Sequence, residues 1–262
     1  LGGTVVIMEK FTPESALAAI EKYRVTDSQW VPTHFVRMLK LPEEERTRYD
    51  LSSHKRAIHA AAPCPVPIKQ AMIEWWGPII QEYYSGSEMI GMSLVKSEDW
   101  LAKPGTVGRM VHGKVHVCAP DGTELPAGET GLLFFENETL PSYHKDPEKT
   151  AEVMHERGWM TLGDIGHVDE DGFIFLTDRK SHMIISGGVN IYPQEAENVL
   201  ITHPKVADVA VIGVPDEEFG EQVKAVVQLA EGVPETEEVK EELLDFCRSK
   251  LAKIKCPKTI DF

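Results

Sequence analysis

Thr177-Asp178-Arg179-Lys180-Ser181-His182-Met183-Ile184-Ile185-Ser186-Gly187-Gly188-Val189-Asn190-Ile191-Tyr192-Pro193 is where the chain changes character. On its left ends a β-rich region whose last strand reads Gly172-Phe173-Ile174-Phe175-Leu176. On its right begins a compositionally different α/β segment. The stretch has a charged start, a β-branched middle and a Gly-Gly pair. It fits a hinge between two bodies. It fits equally a β-hairpin inside one body, because Gly-Gly between apolar runs is an ordinary hairpin signal.

Upstream, residues 3–8 read as a short buried strand. Thr12-Pro13-Glu14 is a helix start, with Thr as N-cap and Pro in the first turn, and helical spacing runs from Ala16 to Tyr23. A strand follows at 27–32, then a helix through Phe35, Met38 and Leu39. Residues 41–50 are charged and read as a surface loop. A strand at 55–62 enters the small-residue loop Ala60-Ala61-Ala62-Pro63. A helix follows at 67–76 and a strand at 79–84. This alternation predicts an α/β fold with a largely parallel sheet. After about Trp100 the chain is rich in Gly, Val and turn dipeptides such as Pro120-Asp121-Gly122. That predicts antiparallel β, barrel-like, with one helical piece at 147–153. Beyond the opening stretch a helix (194–200), two strands (206–214 and 222–229) and an amphipathic helix (237–251) form a small β-α-β-β-α unit.

A net charge of −15 over 262 residues opposes binding to nucleic acid or an anionic membrane. The four cysteines are far apart with no C-x-x-C pair, which argues against a zinc cluster or a disulfide framework and fits a reducing cytoplasm. No apolar run approaches the roughly 18 residues of a membrane span. The chain starts at Leu1 without methionine and stops at Phe262, and both ends read as cut from something longer.

Several local clusters carry chemical potential. Glu82-Tyr83-Tyr84-Ser85-Gly86-Ser87-Glu88 follows a strand and sets hydroxyls around a Gly before one carboxylate. Such a loop can hold phosphate oxygens, and its Glu can hold Mg²⁺ together with those phosphates. The ordinary alternative is a polar loop at a strand end. Trp159-Met160-Thr161-Leu162-Gly163-Asp164 places an Asp after a Gly, read as a strand end, where it could accept from a ribose diol or simply make a turn. Gly108 to Val115 is one residue short of a phosphate-binding loop and is followed by a strand, so it is rejected. No histidine pair has metal-ligand spacing, and His34 and His59 read as packed side chains. The basic run Arg248, Lys250, Lys253, Lys255, Lys258 reads as a solvated helix end.

Taken in order, Ala60-Ala61-Ala62-Pro63, Tyr84 to Glu88, Trp159 to Asp164, Asp178-Arg179, Gly187 to Pro193 and Lys255-Cys256-Pro257-Lys258 resemble the adenylate-forming enzymes, most closely the bacterial fatty-acyl-CoA synthetases. Tyr143 to Glu152 (Y-x-x-x-P-E-x-T-x-E) is a supporting match. The resemblance implies the end of a large domain (1–178, a parallel α/β part plus an antiparallel barrel-like part). A hinge (179–181) would join it to a small α+β domain (182–262). It implies that Ala61, Ala62 and Pro63 lie against the adenine and that Tyr84 stacks on it. Ser87 would contact the α-phosphate, Glu88 bind Mg²⁺, and Asp164 and Arg179 hold the ribose. Residues 30–35 would line the acyl pocket, and Gly188 would approach the pantetheine arm of CoA. The activity implied is ATP-dependent conversion of a carboxylic acid, a fatty or related acid, to acyl-AMP and then acyl-CoA. The small domain would rotate between the two steps. Loading of a carrier-protein thiol, or a non-catalytic nucleotide-binding module, are the alternatives.

The sequence departs from the family at Ser181, where the hinge residue is usually Asp or Lys, and at Tyr84-Ser85-Gly86, where the Gly is one position late. A Ser/Thr/Gly-rich phosphate loop is expected upstream of Leu1 and a catalytic Lys downstream of Phe262. Residues 1–262 alone are therefore expected to give no ATP–pyrophosphate exchange. A robust exchange signal from this polypeptide would contradict that expectation.

Overall fold

The computed structural model describes residues 2–262. The chain divides into two compact units, one made of residues through Tyr84 with Ser93–Arg109, the other of Ser85–Met92 with Met110–Phe262. The stretch expected to be a hinge, 179–181, lies inside the second unit.

The first unit begins with a correction. Residues 3–8 form no strand, and Val5 (80% exposed) and Ile7 (87%) face solvent. A β-branched run becomes a strand only with a ladder partner, and no described residue pairs with this one. The elements that follow are α1 (Pro13–Tyr23), β1 (Asp27–Trp30), α2 (Pro32–Leu39), α3 (Glu43–Arg46), β2 (Arg56–His59), α4 (Val66–Trp76), β3 (Ile80–Ser85), β4 (Met92–Lys96), α5 (Ser97–Ala102) and β5 (Arg109–His112). The start of α1 is the expected cap. Thr12 Oγ1 accepts from Ser15 N, and Ser15 Oγ accepts from Thr12 N, both at 3.1 Å. The charged stretch 41–50 is not wholly loop, since α3 forms a single turn there.

The sheet runs β1-β2-β3-β4-β5. β1 pairs parallel with β2 (Asp27↔Arg56), and β2 with β3 (Ala57↔Ile80). Leu17, Ile20, Phe35, Met38, Met72, Ile80 and Trp100 fill the core against it. His54 is buried at the edge of that core, ring to ring with Trp76 at 5.0 Å. Trp30 Nε1 donates to Ser28 Oγ, whose hydroxyl lies 2.6 Å from His54 Nε2.

Burial lowers the His54 pKa from 6.5 to about 4, and that of the fully buried His59 to about 2. The unfolded chain takes up protons below pH 6.5 that the folded chain refuses, so acid favours unfolding. The stability of the first unit is expected to fall as pH drops from 6.5 towards 4. His54→Gln should remove about half of that fall, His59 supplying the rest, measured by urea midpoints at pH 7.5 and 5.0. A midpoint independent of pH in the parent protein would contradict it.

The second unit, which also holds residues 85–92 and all of β5 but Arg109, continues with β6 (Lys114–Cys118), β7 (Gly131–Glu136), α6 (Pro147–Glu152), β8 (Met160–Val168) and β9 (Ile174–Arg179). These four strands make an antiparallel sheet in the order β6-β7-β8-β9. It is the expected antiparallel part, but it stays open, since β6 and β9 do not pair with each other among the described residues. The stretch rejected as a phosphate loop, 108–115, lies along β5 and β6.

After a 3₁₀ turn at Lys180–His182 come β10 (Ile184–Ser186), β11 (Val189–Ile191), α7 (Pro193–Leu200), β12 (Val206–Asp216), β13 (Gly220–Leu229), α8 (Glu237–Arg248) and β14 (Thr259–Asp261). The order is β11-β10-β13-β12, with β14 parallel on β13. Gly187 (φ 57°) and Gly188 (φ 77°) make the two-residue turn between β10 and β11. Two successive positive φ values match the right-handed twist of the flanking strands, which explains the Gly pair. The opening stretch therefore does form a hairpin, just beyond the residues expected to be the hinge. Ile184, Leu200, Val211, Ala225, Leu243, Cys247 and Ile260 form the core under α7 and α8.

Candidate active site

The expected site residues fall into two groups, one in each unit. In the first unit β2 ends at His59, and the chain passes through exposed Ala61, Ala62 and Pro63 into α4. Ala61 has φ 76°, a left-handed conformation that an L-residue adopts only when its surroundings hold it there.

Behind the loop is a group that sequence reasoning missed. Lys69 of α4 is fully buried, and its Nζ lies 2.5 Å from Glu82 Oε2 on β3. Burial pushes the Glu82 carboxyl above its usual range, and the Lys69 ammonium acts against that. His59 Nε2 is 3.6 Å from the same oxygen, but an imidazole held neutral by burial makes no ion pair. The pair ties α4 to β3 at the root of the segment bearing half-buried Tyr84. Of residues 30–35, Trp30 and Phe35 lie in the core, and only Thr33 is exposed.

In the second unit, Ser85 Oγ donates to Gly91 O (2.7 Å) and Met89 N donates to Gly86 O (3.0 Å), closing a tight loop. Ser87 is exposed on it and Glu88 is half-buried. Gly86 shows why the glycine stands one position late. A Cβ there would lie 2.7 Å from Leu162 Cδ2 and 2.8 Å from Glu88 Oε2. The loop thus packs on Leu162 of β8, so the motif at 84–88 meets the motif at 159–164.

Asp164 corrects a local expectation, for it lies within β8 and not at a strand end. Gly163 (φ 82°) and the register shift between Ile165 and Gly166 bend the strand beside it. Asp164 faces Arg179 across the β8–β9 ladder, with Arg179 Nε 3.2 Å from its Oδ1. Asp164 is 6% exposed, whereas the Arg179 side chain is largely exposed. Asp178 fixes the next element, accepting from Arg179 N (2.6 Å) and from Gln194 N (3.0 Å) in the first turn of α7. Tyr192, the N-cap of α7, offers no side-chain bond, so Asp178 supplies that acceptor from across residues 179–181. Ser181 is exposed in the 3₁₀ turn, and Gly188 is exposed at the hairpin tip.

Among the described residues there is no cluster of three or more His, Cys, Asp or Glu fit to cage a metal. Glu88 Oε1 accepts from Tyr143 OH at 3.0 Å, and Gly86 leaves room beside Oε2. One carboxylate in such a loop suits a cation that takes most of its ligands from phosphates and water. Of the basic run only Arg248 lies in α8, where it pairs with Asp245 (2.8 Å); Lys255 sits in a 3₁₀ turn beyond the helix and pairs with Glu195 of α7 (2.6 Å). No helix among the described residues is long and apolar enough to cross a membrane.

Known proteins resemble this chain along its whole length. Residues 1–141 match the AMP-binding enzyme family and residues 195–262 match the AMP-binding enzyme C-terminal domain. A long-chain-fatty-acid–CoA ligase of Bacillus subtilis (strain 168) is 36% identical over 265 residues, covering 100% of this chain and 46% of that protein. The amide bond synthetase McbA from Marinactinospora thermotolerans superposes with a TM-score of 0.82 at 33% identity, over 100% of this chain and 53% of the other. ATP-bound MatB from Rhodopseudomonas palustris gives 0.81 at 31% identity, over 98% of this chain and 50% of the other. The chain spans about half the length of the curated relatives it matches.

Proposed function

The chain belongs to the AMP-binding enzyme family, and we propose that the intact protein activates a carboxylic acid with ATP, as acyl-AMP, and passes the acyl group to CoA, releasing AMP and pyrophosphate. One observation carries the assignment of parts. The loop bearing Glu88 packs on Leu162 of β8, and two residues along the same strand Asp164 pairs with Arg179 at 3.2 Å. The loop bearing the carboxylate read as phosphate-side and the carboxylate–guanidinium pair suited to a diol thus both adjoin β8.

A carboxylate is a poor electrophile, and attack on the α-phosphate crowds negative charge on phosphorus. Ser87 and the loop amides would donate to the phosphate. Asp164 would accept from the ribose hydroxyls, Arg179 would hold the ribose beside it, and Tyr84 would stack on the adenine next to Ala61, Ala62 and Pro63. Mg²⁺, held through Glu88, would act as a Lewis acid when bound. The domain division proposed is a large domain through residue 178, a hinge at 179–181 and a small domain from 182. Rotation about Ser181 would bring Gly188 towards the thiol donor, and it must release the Asp178–Gln194 bond seen here. The four thiols are free and three are buried, in keeping with a cytoplasmic enzyme.

The acceptor distinguishes this reading from its neighbours. The intact protein, given ATP, Mg²⁺ and a panel of fatty and aromatic acids, is expected to form a thioester with CoA. Acylation of a carrier-protein thiol or of an amine in place of CoA would reassign the acceptor. Nucleotide binding without any acyl product would leave a non-catalytic module.

A further inference from the structure

We propose that Tyr143 is a positioning residue for Glu88: its hydroxyl fixes one carboxylate oxygen so that the other stays aimed at the metal–nucleotide. The proposal rests on the reading of Glu88 as the metal-binding carboxylate. The Tyr143 hydroxyl donates to Glu88 Oε1 at 3.0 Å. The last torsion of a glutamate is broad, so a carboxylate held only by its own chain has no defined direction. A donor on one oxygen removes that freedom and leaves Oε2 on the side where Gly86 carries no Cβ, 2.8 Å from where one would stand.

The tyrosine is itself held at several points. Its backbone N–H donates to Thr150 Oγ1 (2.9 Å), and that hydroxyl donates to Asp146 O (2.9 Å). Asp146 Oδ1 accepts from Lys149 N (2.9 Å) at the start of α6, and Lys149 Nζ lies 4.4 Å over the Tyr143 ring. These contacts account for the spacing Tyr143-x-x-x-Pro147-x-x-Thr150. Tyr143 opens the turn, Pro147 starts α6 and Thr150 reaches back to the tyrosine amide.

The test compares Tyr143→Phe with Glu88→Gln in the intact protein, reading Mn²⁺–ATP affinity by electron paramagnetic resonance. Steady-state KM values for Mg²⁺ and for the acid, and the melting temperature, accompany it. Tyr143→Phe keeps the ring under Lys149 and removes only the donor. It is expected to weaken Mn²⁺–ATP binding about 10- to 100-fold, the factor for one hydrogen bond to a charged group. The KM for Mg²⁺ should rise similarly, with metal-free ATP affinity, acid KM and melting temperature unchanged. Glu88→Gln should lose the metal dependence altogether. Loss in Glu88→Gln with parental metal affinity in Tyr143→Phe would overturn the positioning role alone. Unchanged metal affinity in Glu88→Gln would overturn the metal reading and the proposal with it.

Discussion

Glu88→Gln in the intact protein is expected to cut Mg²⁺-dependent acyl-adenylate formation roughly a thousandfold, with no loss of fold. The substitution keeps size and shape, and its Oε1 can still accept from Tyr143, so the loop closed by Ser85 and Gly91 survives. What disappears is the charge. Among the described residues no cluster of carboxylates or imidazoles could replace it as a metal cage. The cation then depends on phosphates and water, and the negative charge built up during attack on the α-phosphate loses part of its compensation. Transfer of a supplied acyl-adenylate to CoA needs no such compensation and should fall far less. Trapping labelled acyl-AMP in a single turnover measures the first step, and thioester formation from synthetic acyl-AMP measures the second. Parental rates in both would remove Glu88 from the chemistry.

Lys69→Ala is expected to destabilise the protein by about 3–5 kcal/mol, the cost of leaving a buried charge without its partner. Lys69 is fully buried, and its Nζ lies 2.5 Å from Glu82 Oε2 and 5.1 Å over Trp100. Without Lys69 the only relief for Glu82 is to take up a proton. Its folded pKa is already raised by burial above the ordinary 4.5. The deficit of the variant against its parent should therefore be smallest below pH 4.5, where the unfolded carboxyl is also protonated, and should grow as pH rises towards the folded value. Glu82→Gln in the same background should recover most of the loss at neutral pH, because an amide has no charge to desolvate. Urea titrations of the parent and the two variants at pH 4.5 and 7.5 decide it. A Lys69→Ala protein as stable as its parent at pH 7.5 would mean that the pair contributes nothing.

Much of the architecture was legible because local signals and packing agree. Thr12-Pro13 starts a capped helix, Gly187-Gly188 turns a hairpin, and Val206 to Leu229 alternates as two strands do. The misses have physical causes. Residues 3–8 have strand composition but no ladder partner, and composition does not report partners. Asp164 read as a strand end because Gly163 usually breaks a strand, whereas here its positive φ accommodates a bulge inside one. The antiparallel sheet read as barrel-like because turn spacing gives strand number without closure.

Lys69 was detectable in principle. It stands three and four residues before Met72 and Ile73, on the buried stripe of α4, where a charge requires a buried partner. Glu82, two residues after Ile80 on a strand buried at both positions, was the candidate. Tyr143 was not detectable, because its bond to Glu88 spans 55 residues and depends on the β7-to-β8 connection folding back. The metal, ribose and adenine roles came from the order of motifs, and the geometry adds that Glu88, Asp164 and Arg179 share one unit.

The fate of ATP tests the central claim most directly. With the intact protein, a fatty acid, Mg²⁺ and CoA, phosphorus NMR is expected to show one AMP and one pyrophosphate for each thioester formed, and acyl-AMP when CoA is withheld. ADP and inorganic phosphate in place of AMP and pyrophosphate, or thioester formed without nucleotide turnover, would contradict it.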